Sequence, residues 1–216
     1  MGDGMKTTDL IAALSADQFL DGKSFRRRFY GSALAGALVT AGVFLLSLGW
    51  RPDIGTAIGT IRFPFKFVVT LAVVLSAAPL LVRMASPLQS RVLPRRALAG
   101  GPLLMLVAVV LELVALPANR WWDSLVGSNA LLCLASIPAL SLPSAAALML
   151  AMKRGAPARP ALAGAVCGLV AAGIAATFYA LHCDDDSPLF VAVWYTLAVA
   201  IVTIVSARVG ARALRW

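Results

Sequence analysis

The side chains best suited to chemistry in this chain belong to two cysteines and to a run of acidic residues. Cys183 lies in the run His182-Cys183-Asp184-Asp185-Asp186, and His182 is the only histidine. Together with Cys133, this run offers thiol, imidazole and carboxylate groups, which are the ligands that zinc and softer, thiophilic metals prefer. A metal site of Cys133, Cys183, His182 and Asp184 is one interpretation. A disulfide between the two thiols is a second, and an ordinary loop with an acidic run is a third.

The elements that must position these residues are hydrophobic segments. Each is close to the length of about 20 residues with which an α-helix crosses a bilayer. They occupy 31–48, 65–82, 98–116, 130–152, 161–181 and 189–207. We therefore predict an all-α integral membrane protein with six transmembrane helices.

The distribution of basic residues orients these six segments. Of the 19 Lys and Arg residues, 15 fall on the side of the N-terminus, and the other four are Arg51, Arg62, Lys66 and Arg120. Basic residues in short loops stay on the cytoplasmic side of a membrane. Both termini are therefore predicted to be cytoplasmic, in a multi-pass protein of a bacterial inner membrane.

This orientation assigns a depth to each cysteine. Cys133 falls within a turn of the outer end of the fourth segment, and Cys183 lies just beyond the outer end of the fifth. Both thiols would then face the oxidising side of the envelope at one level. Cys167 lies about 24 Å below Cys183 at 1.5 Å per residue. It cannot pair with Cys183 and is expected to be a small buried apolar residue.

Composition excludes several classes of function. The chain is 60% hydrophobic and 13% charged, whereas soluble domains are about half apolar and about a quarter charged. The short loops leave no room for a soluble enzymatic domain. The net charge of +9 lies at the predicted cytoplasmic ends of the segments, where it meets anionic lipid. We therefore expect the lipid bilayer, and no nucleic acid, as a partner of this charge.

The first thirty residues form a separate polar segment ahead of a membrane domain at 31–216. The first hydrophobic segment lacks a small-residue cleavage site and is interpreted as a retained anchor. Within residues 1–30, a short amphipathic helix is predicted, with Asp9 near its positive end. Leu10, Ile11 and Leu14 share one face of it. This helix either lies on the lipid surface or docks onto a cytoplasmic partner.

Glu112 is the only acidic residue inside a hydrophobic segment. An ionisable group at that depth is costly and often functional. No Lys, Arg or His is predicted within the membrane as its partner. A structural hydrogen bond to another helix is the favoured interpretation, and a transport or gating role is the alternative.

Small residues and prolines mark where the helices pack and bend. Gly36 lies in a row of small residues in the first segment, and Gly164 and Gly168 have GxxxG spacing in the fifth. Such rows bring helix backbones close together in lipid. We expect them to pack within the chain, with dimerisation as the alternative. Pro79, Pro138 and Pro143 are expected to kink their helices. A small transporter or channel, the alternative function, would use Glu112 and the breaks at Pro138 and Pro143.

Motifs of catalysis are missing from the sequence. There is no Cys-x-x-Cys, P-loop, G-x-S-x-G or H-E-x-x-H motif. We therefore predict that the protein is not an enzyme and requires no cofactor, a thiophilic metal ion being at most a transient ligand.

Three stretches carry a resemblance to a known family. They are Thr8–Leu14, the run from Leu181 to Tyr195 and the Arg-rich ending Gly210–Trp216. Together with the length and the six segments, they resemble the negative-regulator-of-sigma-F (NrsF) family of polytopic inner-membrane anti-sigma factors. The stretch from His182-Cys183 to Trp194-Tyr195 is its most specific part.

The resemblance implies a function. Such proteins hold an extracytoplasmic-function sigma factor at the membrane and release it under heavy-metal or oxidant stress. The family's paired cysteines match Cys133 and Cys183, which leaves Cys167 unmatched. The expected mechanism has the N-terminal helix (Asp9, Leu10, Ile11, Leu14) binding the sigma factor. Disulfide formation or metal capture at Cys133 and Cys183 would then shift the proline-containing fourth helix and release it.

Overall fold

The computed structural model of the chain describes residues 7–85, 99–155 and 157–215, and at residues 9, 10 and 12–24 it describes only the backbone. These residues form helices connected by short loops. The helices are α1 (Thr7–Ser47), α2 (Ile54–Ala57), α3 (Arg62–Met84), α4 (Gly100–Ala115), α5 (Trp121–Val126), α6 (Ala130–Met152), α7 (Pro160–Tyr179) and α8 (Pro188–Ala213). A 3₁₀ turn, Ala118–Arg120, precedes α5.

Consecutive long helices run in opposite directions, so their connections collect at two ends of a bundle. At one end the Arg51 N–H, after α1, donates a hydrogen bond of 3.1 Å to the Leu181 carbonyl, after α7. We call this the outer end, following the orientation predicted from the basic residues. It contains the loops at 48–61, 116–129 and 180–187. The opposite end is the inner end.

Five helices are long and apolar enough to cross a membrane. The third predicted segment, 98–116, corresponds to α4, which has only 16 residues. A helix of that length reaches about 24 Å, short of the roughly 30 Å hydrocarbon core. Gly101, near the start of α4, lies beside Val73 in the middle of α3. The described part of α4 therefore covers the outer half of the bundle.

The first helix is longer than the sequence pattern indicates. A short helix near residue 10 and a separate span from residue 31 were expected, but α1 runs without a break over 41 residues. That length is about 60 Å, roughly twice the hydrocarbon core. The predicted boundary at residue 30 is therefore not a break in secondary structure.

Small residues pack the helices against one another within the chain. Gly164 and Gly168 of α7 lie against Ser206 and Gly210 of α8, so closely that an added Cβ would come within 3 Å of α8 atoms. Gly36 of α1 meets α6 in the same way, at the Ser144 Cα. The predicted packing within the chain is confirmed at these glycines. α7 is central and contacts α1, α3, α6 and α8.

The buried side chains form an inner and an outer cluster. Cys167 belongs to the inner cluster, together with Phe29 of α1. Cys133 and Cys183 both belong to the outer cluster, together with Phe44 of α1. α1 is thus packed into both clusters.

Candidate functional site at the outer end

The two cysteines singled out from the sequence lie together at the outer end. Cys133 is in the first turn of α6, and Cys183 follows the last residue of α7 by four positions. Both side chains are 0% exposed and both carry free thiols. Neither thiol is open to solvent in this state, so a reagent must be small or the loop above them must open.

That loop, residues 181–187, is bound to almost every helix at the outer end, and we call it the strap. Two buried cations hold its centre. The Lys66 ammonium of α3 lies 2.6 Å from Asp186 and donates a bond of 2.7 Å to the Cys183 carbonyl. Arg51 lies 2.9 Å from Asp186 and donates a bond of 3.2 Å to the same carbonyl. The backbone of Cys183 is therefore fixed by two charges.

Lys66 is a site residue that the sequence pattern did not reveal. Its side chain is 0% exposed, although the charge count treats it as one of four basic residues on the outside. A buried ammonium needs an anion and hydrogen-bond acceptors, and the strap supplies both. The one signal in the sequence is that this lysine follows Phe63 and Phe65 at the start of an apolar helix.

The other acidic residues of the strap bind the start of α6. Asp185 accepts hydrogen bonds from the backbone N–H groups of Ser128 (3.0 Å) and Asn129 (2.8 Å). A carboxylate is stabilised there by the positive end of the helix dipole. Asp184 accepts a bond from the side-chain amide of Asn129. The strap thus holds the helix that carries Cys133.

Glu112 joins α4 to the strap and to α8. Its carboxylate accepts hydrogen bonds from the Ser187 hydroxyl (2.9 Å) and from the Leu189 N–H (2.8 Å), at the beginning of α8. Its basic partner is Arg62, which lies outside the predicted segments and is 3.4 Å from the same carboxylate. Arg62 is the first residue of α3 and lies at the same level as Glu112 on the antiparallel helix α4. These contacts match the structural interpretation of Glu112.

The four-residue metal site is not assembled. The His182 imidazole lies 3.2 Å from the Gly49 carbonyl, and Asp184 is engaged with Asn129. Within the described ranges, no three His, Cys, Asp or Glu side chains are grouped so that they could hold a metal ion. In this state His182 and Asp184 bind other partners and do not join the two cysteines. The two thiols remain the only members brought together.

Burial makes the Cys183 thiol a weak acid. It raises the pKa of this thiol above its ordinary value, and the Lys66 ammonium lowers it by less. At neutral pH the thiol is therefore protonated and poorly nucleophilic. Next to it, the Arg51 guanidinium lowers the pKa of Asp53 by a hydrogen bond, and that bond raises the pKa of Arg51 in turn. The strap thus combines permanent charges with a neutral thiol.

Two tyrosines line the same cluster. The rings of Tyr179 and Tyr195 have centroids 5.8 Å apart, and both hydroxyls are buried beside the Cys183 thiol. Tyr195 ends a π-helical segment, Val191–Tyr195, inside α8. The wider turn of a π-helix alters the face on which later side chains lie. Neither tyrosine was predicted as a site residue, because the irregular turn has no clear mark in the sequence.

The predicted docking residues lie at the far end of α1. Ile11 is 61% exposed, and the side chains of Asp9, Leu10 and Leu14 are outside the described set. The backbone of this segment is continuous with the helix that carries Phe44 in the outer cluster.

Comparison with known proteins identifies relatives along the whole chain. A family model described as "Negative regulator of sigma F" (NrsF) matches residues 14–216. The chain is 33% identical over 219 residues to the anti-sigma-F factor NrsF of Caulobacter vibrioides, covering 98% of this chain and 100% of that protein. It is 32% identical over 219 residues to the probable anti-sigma-F factor NrsF of Azospira oryzae, with the same coverage. No solved structure matches the chain significantly.

Proposed function

The chain belongs to the negative-regulator-of-sigma-F family, and from that membership we propose how it regulates. It is a regulatory protein and not an enzyme. In the proposal it holds an extracytoplasmic-function sigma factor at the bacterial inner membrane. The N-terminal segment of α1 binds the sigma factor, and a reaction of Cys133 and Cys183 with heavy metal or oxidant releases it.

The membrane location and orientation are part of this proposal. They are supported by five helices long and apolar enough to span a bilayer and by 15 of the 19 basic residues lying toward one side. With α4 counted as a sixth crossing, both termini are cytoplasmic in this proposal. The strap and the cysteine pair then face the periplasm.

The continuity of α1 is the observation that carries the proposal. Its outer end bonds to the strap, through the Arg51 N–H and the Gly49 carbonyl. Phe44 packs in the same cluster as both thiols. Its other end is the predicted docking segment, with no break between them. A displacement at the strap is therefore passed to the docking segment along one helix.

Either signal would change the strap in a defined way. Oxidation joins the two sulfur atoms at about 2.05 Å, and the oxidant takes up two electrons while two protons are lost. A thiophilic divalent metal binds both sulfur atoms and displaces the same two protons. Both products bring α6 and the strap into a new position. A tenfold loss of sigma-factor affinity requires only about 1.4 kcal/mol of coupling.

Two cell-based experiments test this function. Fusions of a periplasm-active phosphatase after Asp53, Asp123 and Asp185 should be active, and fusions after Gly155 or at the C-terminus should be silent. Activity at Gly155 would overturn the orientation.

In a reporter strain, Cys133→Ser and Cys183→Ser should each blunt induction by metal or oxidant. The double variant should be no worse than either single variant, because the two thiols act as one unit. Cys167→Ser is the matched control and should induce normally.

A further inference from the structure

A basic-rimmed apolar groove lies at the inner end, far from the cysteine pair. It runs between α1 and α6, has a volume of about 320 Å³, and is lined by nine residues that include Phe25, Ala35 and Ala147. Arg28 and Arg154 are also among its lining residues. We propose that this groove binds an anionic phospholipid, with the lipid phosphate between the two guanidinium groups and one acyl chain in the groove. The proposal relies on the membrane location proposed above, but not on sigma-factor binding.

The charges of the rim favour an anion. Within the part of the chain that the structure describes, Arg28 and Arg154 have no carboxylate partner, because the ion pairs there involve only Arg51, Arg62 and Lys66 as cations. Both arginines are exposed. The guanidinium groups of Arg28, on α1, and of Arg154, in the turn after α6, present the planar donors that bind phosphate oxygens.

The depth of the groove favours a lipid over a protein segment. From Arg28 to Ala35 it descends seven residues along α1, which is about 10 Å. A non-helical peptide inserted that far into the hydrocarbon layer would leave its backbone groups without hydrogen bonds. An acyl chain has no such groups and matches a wall of Phe25, Ala147 and Leu150. The phosphate of the same lipid lies at the boundary, level with the arginines.

This lipid would stabilise the inner contact between α1 and α6. Phe29 of α1 and Leu148 and Ala151 of α6 meet in the inner cluster directly beside the groove. A bound lipid bridges the two helices through its phosphate at the level where α1 leaves the membrane. The orientation of the N-terminal part of α1 then depends on the charge of the surrounding lipid.

Native mass spectrometry of the full-length protein tests the proposal. The solubilised protein is mixed with phosphatidylglycerol or with phosphatidylcholine, and retained lipid is counted. We expect the wild type to retain phosphatidylglycerol and to lose phosphatidylcholine. Retention should fall about fivefold for each arginine removed in Arg28→Ala and Arg154→Ala, which corresponds to ~1 kcal/mol each.

Two further variants make the result decisive. Arg208→Ala with Arg212→Ala removes two charges at the inner end of α8 and should leave retention unchanged. Ala35→Phe fills the groove while keeping both arginines, and should reduce retention. Equal retention by the wild type, the Arg28→Ala, Arg154→Ala double variant and Ala35→Phe would overturn the proposal. So would loss of sigma-factor capture in that double variant with lipid retention unchanged, since the groove would then serve a protein partner.

Discussion

Lys66 of α3 and Asp186 of the strap form an ion pair of 2.6 Å that lies directly over Cys183, whose carbonyl accepts a second bond from the same ammonium. Lys66 is fully buried, and Asp186 is mostly so. The position of the cysteine backbone therefore depends on a charge that has no access to water. Removing that charge leaves a buried carboxylate with only Arg51 as a partner.

The first prediction concerns this ion pair. Lys66→Met should lower the stability of the solubilised protein by up to about 3 kcal/mol, because Asp186 then shares its remaining partner, Arg51, with Asp53. Thermal unfolding in detergent measures it. Lys66→Met combined with Asp186→Leu should recover part of the loss. The control is Arg208→Ala, which removes an exposed arginine of α8 and should cost less than about 1 kcal/mol. Equal destabilisation by Lys66→Met and Arg208→Ala would contradict the buried role.

The second prediction is a pH dependence. Because burial raises the pKa of Cys183, the fraction of thiolate at any given pH is lower in the folded protein than in the unfolded chain. In a Cys133→Ser, Cys167→Ser background, the rate of alkylation of the folded protein should still increase with pH above pH 9, beyond the ordinary thiol pKa of about 8.5. In the denatured protein, the rate of alkylation should stop rising with pH near that value. Coincident profiles for folded and denatured protein would refute the raised pKa.

The third prediction separates His182 from the cysteine pair. Since its imidazole lies on the Gly49 carbonyl, His182→Ala should leave metal binding by the two thiols unchanged within about twofold. If the imidazole were a metal ligand or bonded to one, the same substitution would lower the metal affinity roughly ten- to a hundredfold. Competition with a chromophoric chelator measures the affinity, and Cys133→Ser serves as the variant that must lose it. A tenfold loss in His182→Ala would restore the imidazole as a ligand.

The fourth prediction addresses the docking segment. Leu10→Asp or Leu14→Asp places a charge in the predicted apolar stripe of α1, at a cost of several kcal/mol to a helix-in-groove contact. The sigma-dependent genes should become constitutively active while membrane insertion stays normal. Ala16 falls on the opposite face by helical spacing, so the sigma-dependent genes should remain repressed in the Ala16→Asp variant. If sigma-factor binding survives both leucine substitutions, the docking site lies elsewhere, the basic stretch at 83–96 being the next candidate.

Much of the architecture follows from hydrophobic pattern alone. The six apolar stretches correspond to α1, α3, α4, α6, α7 and α8, because apolar segments of that length have few alternatives to a helix in a bilayer. The neighbourhood of Cys133 and Cys183 also follows, since antiparallel helices bring alternate ends to one level.

The contacts of the strap could not be predicted in the same way. Lys66 and Asp186 are 120 positions apart, and no local spacing encodes which buried cation meets which carboxylate. The orientation of Tyr195 depends on a π-helical turn, which shifts side chains away from the regular helical period. The unbroken α1 was missed because Gly22 and the polar residues near it have low helix propensity, yet the helix continues through them.

Capture of the sigma factor by the full-length protein, before and after oxidation, tests whether the strap is coupled to the docking segment. The solubilised protein is immobilised with its sigma factor and treated with a thiol oxidant, and disulfide formation is followed by a gel shift. Retention of the sigma factor should fall at least about tenfold, equivalent to ~1.4 kcal/mol, in step with formation of the Cys133–Cys183 disulfide. The Cys133→Ser, Cys183→Ser protein should keep its sigma factor. Complete disulfide formation with undiminished retention would contradict the coupling between the strap and the docking segment.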